Sequence, residues 1–324
     1  VNHQERRSET NVLVVGEALI DRVIRPDGVI TESPGGSPAN VALILGRLGR
    51  NPTFLTSVGR DADGETLSAW LAASGVDLRN VGPNDAKTAI ASAYLDDRGD
   101  AHYEFDIVWS IEGDVDITED LVHAGSISAL LQPGAAEVLR LIHAARRRST
   151  ITYDPNIRPA LLGDPETVVP LVEELVGLAD IVKASEEDLQ WLYPQRTVED
   201  ASTAWLALGP SVVVVTRGSK GAFAIAAAGR VDCNAEVVVV ADTVGAGDTF
   251  MGAFIDGLMT ADLCGAVRRA KLREMSRDTL AWLVRRGGLA AAVTVSRTGV
   301  DPPWQHEIEF PSQFAPTRAK SREP

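Results

Sequence analysis

A chain of 324 residues, 45% of them hydrophobic, is long enough for one large α/β domain or two ordinary ones. Its formal net charge of −14 repels phosphate backbones and argues against nucleic acid as a partner, though not against a nucleotide that arrives with Mg²⁺ and is held by local backbone dipoles. Two widely separated cysteines and five scattered histidines offer neither a disulfide framework nor a zinc motif, and no apolar run reaches the roughly 20 residues of a membrane helix.

The first residues, V-N-H-Q-E-R-R, are charged and lack a signal-peptide hydrophobic region, so a cytoplasmic protein is expected. Residues 1–10 and 311–324 read as loose polar tails around one domain over residues 11–310. Residues 11–15 predict a strand that ends on G-E-A-L-I-D, Gly16 to Asp21. Residues 22–30 alternate about Pro26-Asp27-Gly28, a turn signal. Gly35-Gly36-Ser37-Pro38 then opens a helix over residues 38–48, followed by a strand at 53–58 and a helix at 64–73. Residues 89–105 alternate around D-D-R-G-D at 96–100, a second hairpin signal. Residues 151–154, 180–183 and 212–216 predict buried strands, as does the valine run at 237–240. This strand–helix alternation implies a mostly parallel sheet covered on both faces, with ligands at the carboxyl ends of its strands.

The most informative stretch is D-T-V-G-A-G-D-T-F, Asp242 to Phe250. Phe250, Phe254 and Leu258 recur at helical spacing, so a helix opens within it. Gly245 and Gly247 leave the backbone open around Ala246, so successive N–H groups can turn toward one anion at the positive end of the helix dipole. Asp248 sits at the mouth of this nest, where a carboxylate can take a proton from an attacking alcohol. The plain alternative is a tight turn with a capping aspartate. No Walker A motif occurs, and Phe250 stands where a dinucleotide fingerprint needs its third glycine, which argues against a Rossmann dehydrogenase.

Other strand ends carry their own chemistry. Asp21 is an acceptor suited to two hydroxyls, Gly35-Gly36 allows a close backbone approach, and Asn40 both donates and accepts toward a polyol. Arg158, in D-P-N-I-R-P, presents a fork of donors for phosphate or carboxylate, or else pairs structurally with Asp154. Ser185-Glu186-Glu187-Asp188, after Lys183, reads as an N-cap with an acidic first turn. Thr216, Gly218 and Gly221, in T-R-G-S-K-G, form a turn whose glycines and basic residues suit a nucleotide edge.

The run D-T-V-G-A-G-D-T-F resembles the C-terminal signature of the PfkB, or ribokinase-like, carbohydrate kinases, and G-G-S-P-A-N-V-A resembles their N-terminal one. G-E-A-L-I-D is most similar to the fructokinase branch, and D-P-N-I-R-P resembles an element shared by fructokinases and 2-keto-3-deoxygluconate kinases. The resemblance covers roughly residues 11–305. It implies a three-layer α/β/α domain with a small β-sheet lid from about 22–33 and 89–107, whose exposed strand edges leave room for a homodimer. It implies an ATP-dependent kinase acting on a primary sugar hydroxyl, D-fructose first, with Mg²⁺ accompanying ATP. The alternatives are 2-keto-3-deoxygluconate, another sugar of the family, or a non-catalytic sugar sensor.

By the same resemblance, Asp248 is the base and Gly245, Ala246 and Gly247 build the anion hole with it. Asp21, Gly35, Gly36 and Asn40 hold the sugar, and Arg158 serves either sugar or nucleotide. Lys183, Ser185, Thr216, Gly218 and Gly221 belong to the ATP side, the region around 290–299 flanks adenine, and Asp242 adjoins a K⁺ site. The family's N-x-x-E element, which organises Mg²⁺, has Ser185 in place of Asn and Asp188 in place of Glu. A water-mediated role for Glu187 or Asp188 is therefore expected in place of direct ligation.

Overall fold

The computed structural model describes residues 10–96 and 101–309. Thirteen strands lie among them: β1 Val12–Val15, β2 Leu19–Ile24, β3 Ile30–Gly35, β4 Thr53–Thr56, β5 Asp77–Asn80, β6 Ala89–Leu95, β7 Ala101–Asp106, β8 Leu121–Gly125, β9 Thr150–Asp154, β10 Ile181–Ser185, β11 Val212–Thr216, β12 Ala222–Ala226 and β13 Gly229–Cys233. Nine form one sheet in the order β13-β12-β11-β10-β9-β8-β1-β4-β5. The ladder from β11 to β5 is parallel, while β12 and β13 close one edge antiparallel.

The central strands of this sheet are buried on both faces, which is why β1 and β11 are near-continuous apolar runs. Val12 and Val14 point into a core shared with Phe250, Phe254 and Leu283, whereas Leu13 and Val15 join Val138, Val172 and Trp205 on the other face. Helices therefore cover both sides in a ribokinase-like three-layer arrangement. Each buried Leu, Ile or Phe contributes about 1.5–3 kcal/mol. No helix among the described residues is long and apolar enough to cross a membrane.

A second, four-stranded sheet has the order β3-β2-β6-β7. β2 pairs antiparallel with β3, β6 with β7, and β2 and β6 join the two hairpins in parallel. The turn predicted at residues 96–100 lies mostly outside the described residues, as do the tails before residue 10 and after 309.

Two helices carry the centre of the molecule. The Ser37–Arg47 helix starts with Pro38 in its first turn and is buried from Ser37 to Gly46. It packs on the Ala246–Thr260 helix, and Gly252 makes the close approach possible. A Cβ there would stand 2.1 Å from the Ile44 side chain. Packing of the helix bodies thereby brings their two N-termini side by side.

Candidate active site

Asp248 lies in the first turn of the Ala246–Thr260 helix and is 7% exposed. Its carboxylate does not cap that helix. It accepts instead from the neighbouring helix, from Ser37 Oγ at 2.7 Å and Asn40 Nδ2 at 2.8 Å. These two donors fix both oxygens at the mouth of a cleft of about 1380 Å³. Asn40 Oδ1, on the other half of the same amide, is buried without a protein partner. A hydroxyl donor in the cleft would satisfy it.

Gly245, just before this helix, has φ +73°, a left-handed conformation that suits glycine, and a Cβ would press on Val300 at 3.0 Å. This turn spends the Ala246 N–H on Thr243 O at 3.3 Å. The sequence reading gave that amide to the anion hole. The N–H groups of Gly247 and Asp248 have no partner among the described residues, and as first-turn amides they face the cleft. A Cβ on Gly247 would stand 2.9 Å from Lys183 Nζ, so a buried ammonium lies directly beside the nest. Lys183 is paired with Asp154 Oδ2 at 2.7 Å. Burial alone would lower its pKa, but Asp154, assisted by Asp248 and Asp188, outweighs this and holds the proton more firmly. Two amides, a helix terminus and a lysine thus converge on one point, an arrangement for a phosphoryl group.

At one end of the cleft, the second sheet forms a wall with Asp21 from β2 and Ala91, Ala93, Tyr103 and Phe105 from β6 and β7. Burial raises Asp21 to about 6, the nearby positive charge of Arg158 opposes the rise, and Asp248 adds to it. Gly35 is the residue Asp21 leans on, since a Cβ there would lie 2.2 Å from Asp21 Oδ2. Gly36, at φ +105°, brings its backbone against Glu17 O, where a Cβ would stand at 2.7 Å. Asn40 and Arg158 complete this end.

The other end is lined by Ser185, Glu187, Thr216, Gly218, Gly221 and Asp242. Asp242 accepts from Val244 N and Gly299 N, both at 3.0 Å, and so ties the nest to the loop that follows the Arg277–Val295 helix. Asp188 makes a full capping box with Ser185 and accepts from Ile157 N at 2.8 Å. With both oxygens on backbone amides it acts as an organiser. Among the described residues no group of three or more His, Cys, Asp or Glu side chains is placed to hold a metal ion. Glu187 is exposed on the cleft wall.

Residues 9–307 match the pfkB family carbohydrate kinase. The chain belongs to the PfkB family. It is an ATP-dependent carbohydrate kinase. Among curated PfkB relatives, it is 33% identical to a fructokinase of Rhizobium leguminosarum bv. trifolii, over 82% of this chain and 85% of that one. It is 31% identical to fructokinase-1 of Oryza sativa subsp. japonica over 94% and 97%. Among solved PfkB structures, a sugar kinase of Pyrococcus horikoshii in complex with ATP superposes with a TM-score of 0.76 at 28% identity, covering 92% of this chain and 96% of that one. Fructokinase of Xylella fastidiosa with bound ATP superposes at 0.79, with 24% identity and coverage of 90% and 94%.

Three details of this PfkB site depart from the sequence reading. Residues 237–240 are not a buried strand. They follow the edge strand β13 with no neighbour to pair with, and Val237, Val238 and Val240 stand exposed on the cleft rim. Asp154 pairs with Lys183 on the adjacent strand, while Arg158 folds onto Asn156 Oδ1 at 2.8 Å. In T-R-G-S-K-G the basic side chains are spent elsewhere, Arg217 on Asp232 and Lys220 on Glu186, so the threonine, the glycines and the serine are what face the cleft. Sequence reasoning also passed over Ser37, although it stands inside the quoted motif, and Glu17, which had a signal in being an acid at the end of a buried strand.

Proposed function

We propose that this PfkB kinase transfers the γ-phosphoryl group of ATP to the primary hydroxyl of a neutral ketohexose, D-fructose first. The observation that carries the reading is the aim of Asp248, whose two oxygens are fixed by Ser37 and Asn40 beside the free Gly247 and Asp248 amides. In this scheme Asp248 accepts the hydroxyl proton as the oxygen attacks phosphorus, and the P–O bond to ADP breaks on the opposite side. Charge on the transferring group falls on the two amides and on Lys183. Glu187 would hold the hydration shell of a Mg²⁺ accompanying ATP, which would neutralise phosphate charge there. Asp21 and Asn40 orient the sugar, and the second sheet closes over it as a lid that excludes water.

The names of the curated relatives support fructose, and the Vibrio cholerae fructokinase structure, 25% identical, contains fructose, ADP and potassium. We place a monovalent cation beside Asp242, which has accepted only two N–H bonds and has lone pairs to spare. Arg158 favours a second reading, 2-keto-3-deoxygluconate, because its guanidinium acts on Asp21 from across the sugar end. Coupled ADP release with a sugar panel separates them. Fructose should give the higher kcat/KM, because Asp21 repels a carboxylate and a missing hydroxyl leaves buried polar groups unpaired. Preference for the acid, abolished by Arg158→Ala, would support the second reading.

A further inference from the structure

Glu17 stands two residues past the end of β1 and lies on the wall of the sugar end, yet only 3% of it is exposed. Its carboxyl accepts from Ser128 N at 3.2 Å, and the nearby Ser126 hydroxyl favours its charged form. Ser126 has φ +57° and ψ −159°, a region that residues other than glycine rarely occupy. The surrounding contacts enforce this conformation: Ser126 N donates to Asp154 O at 2.8 Å, and Ser128 Oγ donates to Gly125 O at 2.8 Å. Gly36 meanwhile closes on the Glu17 backbone from the opposite side. A strained turn at the side chain and a glycine contact at the backbone thus converge on one residue that the phosphoryl-transfer scheme does not use.

We propose that Glu17 is a specificity-determining residue of the sugar end, presenting a hydrogen-bond-donating carboxyl that Ser126 and Ser128 hold in one orientation. The proposal rests on the reading of this end of the cleft as the sugar end. All partners of Glu17 are neutral donors, and a buried carboxylate without a cation is costly to ionise. Burial raises it to about 7, with the two serines pulling the other way. The charged groups around the same end are Asp21 and the Glu32-paired Arg22 from the second sheet, Arg158 after β9, the Asp154–Lys183 pair of β9 and β10, and Asp248. The sugar would therefore meet a donor at Glu17 and an acceptor at Asp21, and this pairing distinguishes a hydroxyl from a carboxylate or a missing group.

The test compares Glu17→Gln, a neutral donor of the same shape, with Glu17→Met, which has none. Both are checked for folding and assayed from pH 6 to 8.5 with the sugar that wild type turns over fastest. Glu17→Met should raise the sugar KM about 10- to 100-fold, with kcat and the ATP KM within a few-fold. Wild-type kcat/KM should decline above pH 7, and Glu17→Gln should stay within a few-fold of wild type at pH 6.5 and lack that decline. A folded Glu17→Met with unchanged sugar KM would overturn the proposal, and so would an alkaline decline that persists in Glu17→Gln. If Glu17→Met does not fold, the Glu17→Gln profile decides alone. Asp21→Ala, run in parallel, separates the two levels. An unchanged sugar KM there overturns the sugar-end reading and this proposal with it. A raised KM there, with Glu17→Met unaffected, overturns the role of Glu17 only.

Discussion

Lys183→Met tests whether the buried lysine serves the fold, the chemistry or both. The Lys183–Asp154 pair is enclosed, with side chains 4% and 1% exposed, and removal of the lysine strands Asp154 without a counter-charge. Breaking such a pair from one side costs about 3–5 kcal/mol. The double variant Lys183→Met/Asp154→Leu removes both charges and should recover most of that stability. Turnover should not recover with it. A cation about 4–5 Å from a transferring phosphoryl group is worth about 3–4 kcal/mol at an effective dielectric of ~20, and Asp154 cancels part of this. The remainder corresponds to a loss of about 10- to 100-fold in kcat for the double variant. Urea denaturation gives the stability and coupled ADP release gives kcat, each on both variants and wild type. A double variant that regains both stability and wild-type turnover would refute the reasoning and make Lys183 purely structural.

Three further outcomes follow from the charges in the cleft. Because Asp21 accepts from two sugar hydroxyls at once only when both its oxygens are free of a proton, and burial raises it to about 6, kcat/KM should fall as pH drops through 6, and Asp21→Asn should flatten that limb while raising the sugar KM. Glu17, moved from 4.5 to about 7, keeps a proton that the unfolded chain releases, so it lowers stability progressively as pH rises from about 4.5 to 7. Glu17→Gln should accordingly be more stable than wild type at pH 8, by at most about 3 kcal/mol, and show little or no such gain at pH 4.5, as read by urea denaturation. With a cation beside Asp242, turnover should be faster in K⁺ than in an equal concentration of a bulky organic cation, and identical rates would count against that site.

The backbone chemistry of this protein was legible in its sequence because glycine and proline act locally. Gly245, Gly36 and Pro38 announce a turn, a close approach and a helix start whatever surrounds them, and Phe250, Phe254 and Leu258 give the helix its buried face. The double-sided sheet followed for the same reason, since strands such as Val212–Thr216 have no polar face to offer water. Pairings between distant elements were less legible. Asp154 meets Lys183 only through the register of β9 on β10, and Ser37 meets Asp248 only because Gly252 lets two helices touch. The run at 237–240 fails differently. A β-branched composition permits a strand, but pairing needs a neighbour, and β13 already ends the sheet.

The measurement that bears most directly on the central claim is kcat for Asp248→Asn, with sugar and ATP both saturating and sugar affinity measured separately. Asparagine keeps the shape and an oxygen for the Ser37 hydroxyl but is far too weak a base to take the alcohol proton. Turnover should fall by roughly 10²- to 10⁴-fold while sugar affinity changes little. An Asp248→Asn enzyme that turns over near the wild-type rate, or one that loses its stability and leaves kcat per folded molecule intact, would contradict the account.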